Sequence, residues 1–253
     1  MSAAPFETSP APSQFATTLF DLMDRVEYRR VAGDQMDPVY RLRYEAYRRE
    51  AFVSENPQQI VRDEFDDLPN VQCFGIYIDN RLVSSVRFHL LTRDYRNSLS
   101  YSIFSDVLDP LLDAGNVILD PGRFTADYES SLAYPALPFL TLRIATIAVQ
   151  HYAADFVLNA VRSEHGAFYR RVFRSFVMSE ARHYKGLSFP IVLYACEIAV
   201  MYEDLLRRYP FFRSTEQERQ SLFGRAGSVG MVRPTARLAN MLAERQRAEA
   251  AVA

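Results

Sequence analysis

QCFGIYIDNRLVSSVRFHL, residues 72–90, is the stretch that decides the fold. Two runs rich in β-branched and aromatic residues, 72–79 and 82–90, flank the dipeptide Asn80-Arg81. A short polar connection between two such runs predicts a β-hairpin. We therefore expect an antiparallel pair of strands over these residues.

Helix and strand patterns continue on both sides of this hairpin. The other predicted strands are 26–32, 117–124, 156–161, 176–184 and 190–196. The predicted helices are 15–24, 37–50, 103–114, 137–154, 165–174, 201–208 and 235–248. This order predicts a mixed α/β domain, in which helices flank a largely antiparallel central sheet of seven strands.

Length and composition fit a globular protein. The chain has 253 residues, 49% of them hydrophobic and 24% charged, with a net charge of −2. It can bury a substantial core, and nothing indicates a disordered, collagenous or nucleic-acid-coating protein. We expect a flexible tail over residues 1–16, a main domain over 17–210 and a C-terminal helical extension over 211–253. The last helix is amphipathic and could serve as an appended arm.

The sequence also bears on the compartment. The only two cysteines, Cys73 and Cys196, lie in apolar runs with no metal-ligand spacing, which favours a reducing, cytoplasmic location and no bound metal. The N-terminus has neither the basic start nor the apolar segment of a signal peptide. No apolar run reaches the ~18 residues that a membrane span requires, so we expect no membrane span.

Arg43 stands on the wrong face of its predicted helix. At about 100° per residue, an apolar face forms that includes Val39, Leu42 and Tyr47, and Arg43 lies near its middle. A guanidinium is rarely buried unless it is paired. Arg43 should therefore meet a carboxylate, either in a structural ion pair or from a substrate.

An acidic segment follows at residues 62–67, Arg-Asp-Glu-Phe-Asp-Asp. Clustered acidic residues usually mark a solvated loop. Here Phe65 would draw the segment toward the core, and Asp63 and Asp66, three residues apart, could then point the same way. They would be natural partners for buried arginines.

A polar face also runs along the second strand of the hairpin. Alternation places Ser85, Arg87 and His89 on one side and apolar residues on the other. Such a face is either exposed to solvent or forms the floor of a pocket.

Asp120-Pro-Gly-Arg123 interrupts the strand predicted at 117–124 and indicates a bulge or a break. A bulge there would redirect side chains and open the sheet. Four separate elements thus place ionisable residues at positions awkward for a surface, and one shared polar site explains them more economically than separate salt bridges. These residues are Arg43, Arg87, Arg123, Asp63, Asp66 and Asp120.

The same residues carry a family resemblance. Over residues 26–200 the chain resembles the acyl-homoserine-lactone synthases and their relatives, the N-acyl amino acid synthases. The matching segments are Tyr40-Arg-Leu-Arg43-Tyr-Glu-Ala-Tyr47, Asp63-Glu-Phe-Asp66, Ser85-Val-Arg87-Phe and Asp120-Pro-Gly-Arg123-Phe. The resemblance implies an acetyltransferase-like (GNAT) fold and an enzyme that transfers a fatty acyl group to an amine.

Later residues favour the N-acyl amino acid synthases. His165-Gly-Ala-Phe-Tyr169 and the segment from Arg182 to Gly186 look more like that branch. The lactone synthases, which bind S-adenosylmethionine, typically have a tryptophan soon after the first helix, and this chain has Phe52-Val53 there and no tryptophan. The family's usual glutamate before the third arginine is here Asp120, which leaves the identity of the base open.

The resemblance also implies roles. Asp120 would accept the proton of the amine, directly or through water, or would only orient Arg123; backbone groups nearby would bind the oxyanion. Tyr169 would protonate the leaving thiolate, or would merely pack. The substrate would be held by Arg43, Tyr47, Asp63, Asp66 and Arg87.

The donor is expected to be the acyl-phosphopantetheine of acyl carrier protein, with no cofactor bound. Coenzyme A enzymes of this fold usually have a glycine-rich loop that holds the pyrophosphate, and Arg123 is followed by Phe-Thr-Ala-Asp instead. An apolar tunnel would use Phe139, Leu140, Leu142, Ile144 and Ile147, unless these are simply core. The acidic carrier would dock on Arg170, Arg171, Arg174, Arg182 and Lys185, unless these form an ordinary solvated face.

Other functions remain open at this level. The acceptor could be the lactone precursor of an autoinducer synthase in quorum sensing, or a lipid-headgroup amine. Coenzyme A-dependent acetylation is disfavoured by the missing loop. A non-catalytic module of the same fold, which binds acyl ligands or regulates, belongs to a different class.

Overall fold

The computed structural model describes residues 14–184, 189–224 and 230–252. Its helices are α1 (Gln14–Met23), α2 (Asp37–Arg49), α3 (Leu99–Asp113), α4 (Tyr128–Ala133), α5 (Leu137–Tyr152), α6 (Gly166–Phe173), α7 (Ile198–Arg208), α8 (Glu216–Phe223) and α9 (Ala236–Val252). Its strands are β1 (Val26–Val31), β2 (Val71–Ile78), β3 (Arg81–Leu91), β4 (Ile118–Ala126), β5 (Phe156–Val161), β6 (Phe176–Arg182) and β7 (Ile191–Glu197).

The strands form one sheet in the order β1-β2-β3-β4-β5-β7-β6. Every neighbouring pair is antiparallel except β4 and β5, which are parallel. The predicted mixed α/β fold, with its largely antiparallel seven-stranded sheet, is confirmed.

The central hairpin turns at Asp79 and Asn80, which have φ angles of 50° and 66°. Two consecutive left-handed residues are typical of the tight turn that matches the twist of a hairpin, and Asp and Asn tolerate this conformation. The turn therefore lies one residue earlier than the predicted Asn80-Arg81, because the left-handed residues set its position.

β4 runs through Pro121-Gly122 and contains the predicted bulge. Arg87 pairs with Gly122, but Ser85 pairs with Thr125, so β4 has an extra residue between them. Arg123 lies in this bulge and has a φ of 51°.

The sheet opens between β4 and β5. The parallel pairing of β4 with β5 consists of Ile118 with Phe156 and Leu119 with Val157. From Asp120 onward β4 pairs with β3 alone, and β5 continues beside β7. The two halves of the sheet thus separate directly beside Asp120, which creates a cleft between β4 and β5.

The main core lies on the face of the sheet covered by α5, and it extends into the chain beyond residue 210. Phe211, Phe212 and Leu222 are buried there at 0–1% exposure. Arg143 and Glu218, both fully buried, form an ion pair that ties α5 to α8. Residues 211–224 and 232–236 therefore pack against the same core as the main domain.

The two ends of the chain also differ from expectation. α1 begins at Gln14, so the last three residues of the expected tail are helical, and residues 1–13 lie outside the described part. α9 is anchored at its start, since Arg237 pairs with Asp21 and Asp24 and Asn240 donates to the carbonyl of Pro210.

Four helical segments were missed in whole or in part: α4, α8 and the first residues of α3 and α7. Helices α4, α8 and α3 begin at a side-chain cap, formed by Asp127, Thr215 and Ser98 respectively, whereas α7 has none. The two short helices have little apolar periodicity, so capping residues were the better indication of them. None of the helices in the described part of the chain is long and apolar enough to cross a membrane.

Candidate active site

A buried ionic network lies on the sheet face opposite α5. Arg43 comes from α2, Arg87 from β3 and Arg123 from the bulge of β4. Asp63 and Asp66 come from a tight helical turn, in which each carboxylate also accepts a backbone N–H of the turn. The structure thus brings together five of the six ionisable residues expected to share one site.

Asp66 is the centre of the network. Arg43 Nη1 donates to both of its carboxylate oxygens at 2.9 Å, and Arg87 Nη1 donates to Oδ1 at 2.8 Å. The side chains of Arg43 and Asp66 are completely buried. The prediction of an inward-facing Arg43 paired with a carboxylate is confirmed, and that carboxylate belongs to the protein.

Asp63 lies at the outer edge of the same network. It accepts hydrogen bonds from Arg87 Nη1 and from Nε and Nη2 of Arg123. Asp63 and Arg123 are 18% and 22% exposed, whereas Arg87 is 2% exposed. On this side of the network, solvent therefore meets Asp63 and Arg123 before it meets Arg87.

The arginines control the ionisation of both aspartates. Burial alone would raise the pKa of Asp63, but hydrogen bonds and charge from Arg87 and Arg123 outweigh it and lower the pKa to about 2. Burial likewise opposes ionisation of Asp66, while Arg43 and Arg87 lower its pKa. Both carboxylates are therefore ionised at neutral pH.

The network holds more donors than the described residues satisfy. Arg43 Nε and Arg87 Nε are buried without a hydrogen-bond partner among those residues, and so is Ser85 Oγ. An unpaired buried polar group costs about 1–3 kcal/mol. Each of these atoms therefore calls for a partner, such as a water molecule or a ligand.

Asp120 lies beside this network, at the cleft between β4 and β5. It is 4% exposed, pairs in register with His89, and accepts a hydrogen bond of 2.7 Å from Ser100 Oγ on α3. His89 Nε2 donates to the carbonyl of Phe65 at 2.9 Å. Burial and the charge of Arg87 lower the pKa of His89, which keeps the imidazole neutral.

Ser100 is the contact that the sequence analysis missed. Its helix was expected to begin at residue 103, which left Ser100 in a loop. Ser98, the N-cap of α3, was the available indication of the true start.

An apolar cavity of about 30 Å³ lies across the sheet from Asp120. Pro121 and Val157 line it at the point where the two strands separate. Side chains of α5 and α7 complete it, including Leu142, Ala145, Thr146, Val149, Met201, Tyr202 and Leu205. Of the five residues expected to line a tunnel, only Leu142 does so. Phe139, Leu140, Ile144 and Ile147 are part of the core instead.

Tyr169 lies on α6 near this cavity. Its ring centroid is 6.2 Å from that of Phe173, which lines the cavity. Burial raises the pKa of Tyr169 to about 12, so the phenol keeps its proton at neutral pH.

The arginines expected to dock a carrier protein differ in their availability. Arg170 and Arg171 are exposed and have no ion-pair partner among the described residues. Arg174 lies 3.4 Å from Asp204, and Arg182 forms a bidentate pair with Asp106. The sequence could not reveal these pairings, because both partners lie on other elements. Lys185 and Gly186 lie outside the described residues.

Comparison with known proteins identifies the family. Residues 38–197 match the family model described as N-acyl amino acid synthase FeeM, and this span is well over half of the chain. The chain belongs to this family. By sequence, no curated protein matches it.

Solved structures share the fold of this family member. FeeM, an N-acyl amino acid synthase from uncultured soil microbes, has a TM-score of 0.60 and 14% identity, covering 73% of this chain and 98% of FeeM. The acyl-homoserine-lactone synthase LasI has a TM-score of 0.55 and 14% identity, and the match covers 72% of this chain and 93% of LasI. BjaI is a coenzyme A-dependent acyl-homoserine lactone synthase solved with S-adenosylmethionine and isopentyl-CoA. It has a TM-score of 0.54 and 12% identity, and the match covers 73% of this chain and 89% of BjaI.

Family membership and the shared fold confirm three predictions: the acetyltransferase-like architecture, the resemblance itself and the enzyme class. The protein is an acyltransferase of the N-acyl amino acid synthase family. Within the described ranges, no group of three His, Cys, Asp or Glu side chains could hold a metal ion.

Proposed function

We propose that this protein transfers a fatty acyl group from acyl carrier protein to the amine of an amino acid. The observation that carries this proposal is the cleft where β4 and β5 separate. A charged cluster with Asp63, Asp120 and Arg123 lies on one face of the sheet, and a small apolar cavity lies on the other. A polar acceptor and an apolar donor could thus meet across the sheet.

The acceptor would bind at the exposed edge of the network. Arg123 and Asp63 are its solvent-facing members, and Tyr47 lies under the Arg123 guanidinium at 5.5 Å. Arg43, Arg87 and Asp66 are too deeply buried for first contact. Their role in this proposal is to hold Asp63 ionised and correctly oriented.

Asp120 would accept the proton that the amine loses, directly or through a water molecule. The amine nitrogen attacks the thioester carbon, the new C–N bond forms, and the C–S bond breaks with release of the thiolate. Tyr169 would give its proton to the thiolate, and it would be reprotonated from solvent as Asp120 releases the proton of the amine to solvent. Ser100, which donates to Asp120, would keep its carboxylate facing the cleft.

The oxyanion of the intermediate needs hydrogen-bond donors. From Asp120 onward, the edge of β4 that faces β5 has no partner strand. Backbone N–H groups along this edge, near Gly122 and Arg123, are free to point toward the attacked carbonyl. Fixed donors of this kind can contribute about 3–4 kcal/mol to catalysis.

Two features favour a carrier protein over coenzyme A. Helix α4, rather than a glycine-rich loop, lies between β4 and α5, so no pyrophosphate cradle precedes α5. Arg170 and Arg171 would attract an acidic carrier, and Arg174 would contribute because its pairing with Asp204 is exposed and weak. Arg182 is already engaged by Asp106 and would contribute least.

Mass spectrometry of reaction products tests the proposal. The protein is incubated with dodecanoyl carrier protein or dodecanoyl-CoA and a mixture of the twenty amino acids, or with S-adenosylmethionine. We expect N-dodecanoyl amino acids from the carrier-linked donor, and a loss of at least about 100-fold in kcat for Asp120→Asn. Lactone formation from S-adenosylmethionine would instead identify an autoinducer synthase.

Lipid extracts of expressing cells extend this test to headgroup amines and any other amine acceptor. Failure to form any N-acyl product, in vitro or in cells, would contradict the proposal and favour a non-catalytic ligand-binding module. Asp113→Asn serves as a matched control, because this carboxylate is 66% exposed and pairs with Arg96, which belongs neither to the network nor to the docking arginines.

A further inference from the structure

Arg162 occupies a position across the cleft from Arg123. It follows the last residue of β5, five residues beyond the final β4–β5 pair at Val157, and Arg123 lies four residues beyond Leu119 on β4. At about 3.3 Å per residue, both stand roughly 13–16 Å above the point where the strands separate. The two guanidinium groups therefore belong to opposite walls of the same opening.

Three aromatic rings connect these walls. The Tyr47 and Phe52 centroids are 6.3 Å apart, and those of Phe52 and Phe189 are 5.1 Å apart. Arg123 lies 5.5 Å from the Tyr47 ring at one end. Arg162 lies 5.5 Å from Phe52 and 5.1 Å from Phe189 at the other. These contacts form a continuous aromatic bridge over the cleft, composed of Tyr47, Phe52 and Phe189.

The charges leave Arg162 as the arginine available to an anion. Arg43, Arg87 and Arg123 all donate to the two aspartates of the network. Arg162 is 32% exposed, and its ion-pair partner in the described part of the chain is Glu164, which is 50% exposed. An exposed pair of this kind contributes only about 0–1 kcal/mol, so a substrate carboxylate could displace Glu164.

Stacking against Phe52 and Phe189 also orients Arg162 for binding a carboxylate. A guanidinium held against two rings loses little further freedom when it binds, and its planar edge remains free to donate two parallel hydrogen bonds. Such a fork matches the geometry of a carboxylate.

We propose that Arg162 binds the α-carboxylate of the acceptor, while the aromatic bridge contacts the acceptor side chain. This inference rests on the proposed function and adds to it the recognition of free amino acids over amines without a carboxylate. The amine is bonded to the same α-carbon as the carboxylate, so it would lie next to Arg162, on the side that faces the cleft.

Isothermal titration with L-phenylalanine and L-phenylalaninamide, without any acyl donor, tests this assignment. The amide keeps the amine and the ring but lacks the carboxylate. Wild-type protein should bind the amino acid about 10–100-fold more tightly than the amide, since a hydrogen bond to a charged group contributes strongly. Arg162→Gln should reduce this ratio to about one, and Arg162→Lys should give an intermediate ratio.

Arg207→Gln is the matched control, because this arginine is 79% exposed and pairs only with Asp204 among the described residues. It should keep the wild-type ratio. The assignment is overturned if Arg162→Gln keeps that ratio, if wild-type protein binds both probes equally, or if it binds neither. Because no turnover is measured, a failure of catalysis alone would count against the proposed function and not against Arg162.

Discussion

Asp66→Asn should destabilise the protein far more than Asp67→Asn, although the two residues are neighbours and the change is the same. Asp66 is completely buried and bonds to Arg43 and Arg87. Asp67 is 61% exposed and pairs with Arg62, which is 53% exposed. The comparison isolates burial as the cause.

The magnitude follows from the contacts of Asp66. Its carboxylate accepts three hydrogen bonds from the two arginines and one from the backbone N–H of Asp63. An asparagine would leave Arg43 as a buried charge with no neutralising partner. Removal of one member of a buried pair costs about 3–5 kcal/mol, whereas loss of an exposed pair costs about 0–1 kcal/mol.

Urea denaturation followed by far-ultraviolet circular dichroism measures both free energies of unfolding. We expect Asp66→Asn to lower the free energy of unfolding by about 3–5 kcal/mol, which corresponds to a fall of on the order of 10 °C in the melting temperature, and Asp67→Asn to leave both nearly unchanged. The double variant Arg43→Met/Asp66→Leu should recover much of the loss, because it removes both charges. Equal effects of the two single substitutions would refute the reasoning.

Three further predictions concern the pH dependence of stability, the packing at Gly166 and the length of the acyl chain. The pKa of Asp63 is about 2 in the folded protein and 3.8 when unperturbed. Its contribution of about 2 kcal/mol to the free energy of unfolding is therefore present above pH 4 and lost as the pH falls toward 2. Asp63→Asn should flatten the dependence of stability on pH between these values, and an unchanged slope would contradict the assignment. A Cβ at Gly166 would overlap the buried phenol of Tyr194. Gly166→Ala should therefore lower the free energy of unfolding, measured by urea denaturation, by about 1–3 kcal/mol. An unchanged free energy would show that the ring moves freely. Ala145→Val narrows the apolar cavity and should shift the N-acyl products toward shorter acyl chains by mass spectrometry, while an unchanged product profile would place the acyl chain elsewhere.

Much of the fold could be read from local patterns. Alternation and helical periodicity identified all seven strands and seven of the helices, because each pattern reflects one buried face. The short helices α4 and α8 were not predicted, because their stability depends on caps and on packing and not on an apolar stripe. Local patterns also did not reveal that Phe211, Phe212 and Leu222 join a core formed mainly by distant segments.

The candidate site was predictable as a set of residues but not as an arrangement. A guanidinium on an apolar helix face requires a carboxylate, and this rule led from Arg43 to the aspartates. Which carboxylate meets which arginine depends on the path of the acidic turn across β3 and β4. Only the folded chain places Asp66 at the centre of the network, with Asp63 and Arg123 at its exposed edge.

The sequence alone determined the fold class, the family and the identities of the charged residues at the site, because these follow from short-range patterns and from motifs along the chain. The tertiary structure decided which of these residues a ligand can reach. Burial and the divergence of β4 from β5 depend on contacts between segments far apart in sequence. For the same reason Arg162, Phe52 and Phe189 meet over the cleft only once the chain has folded.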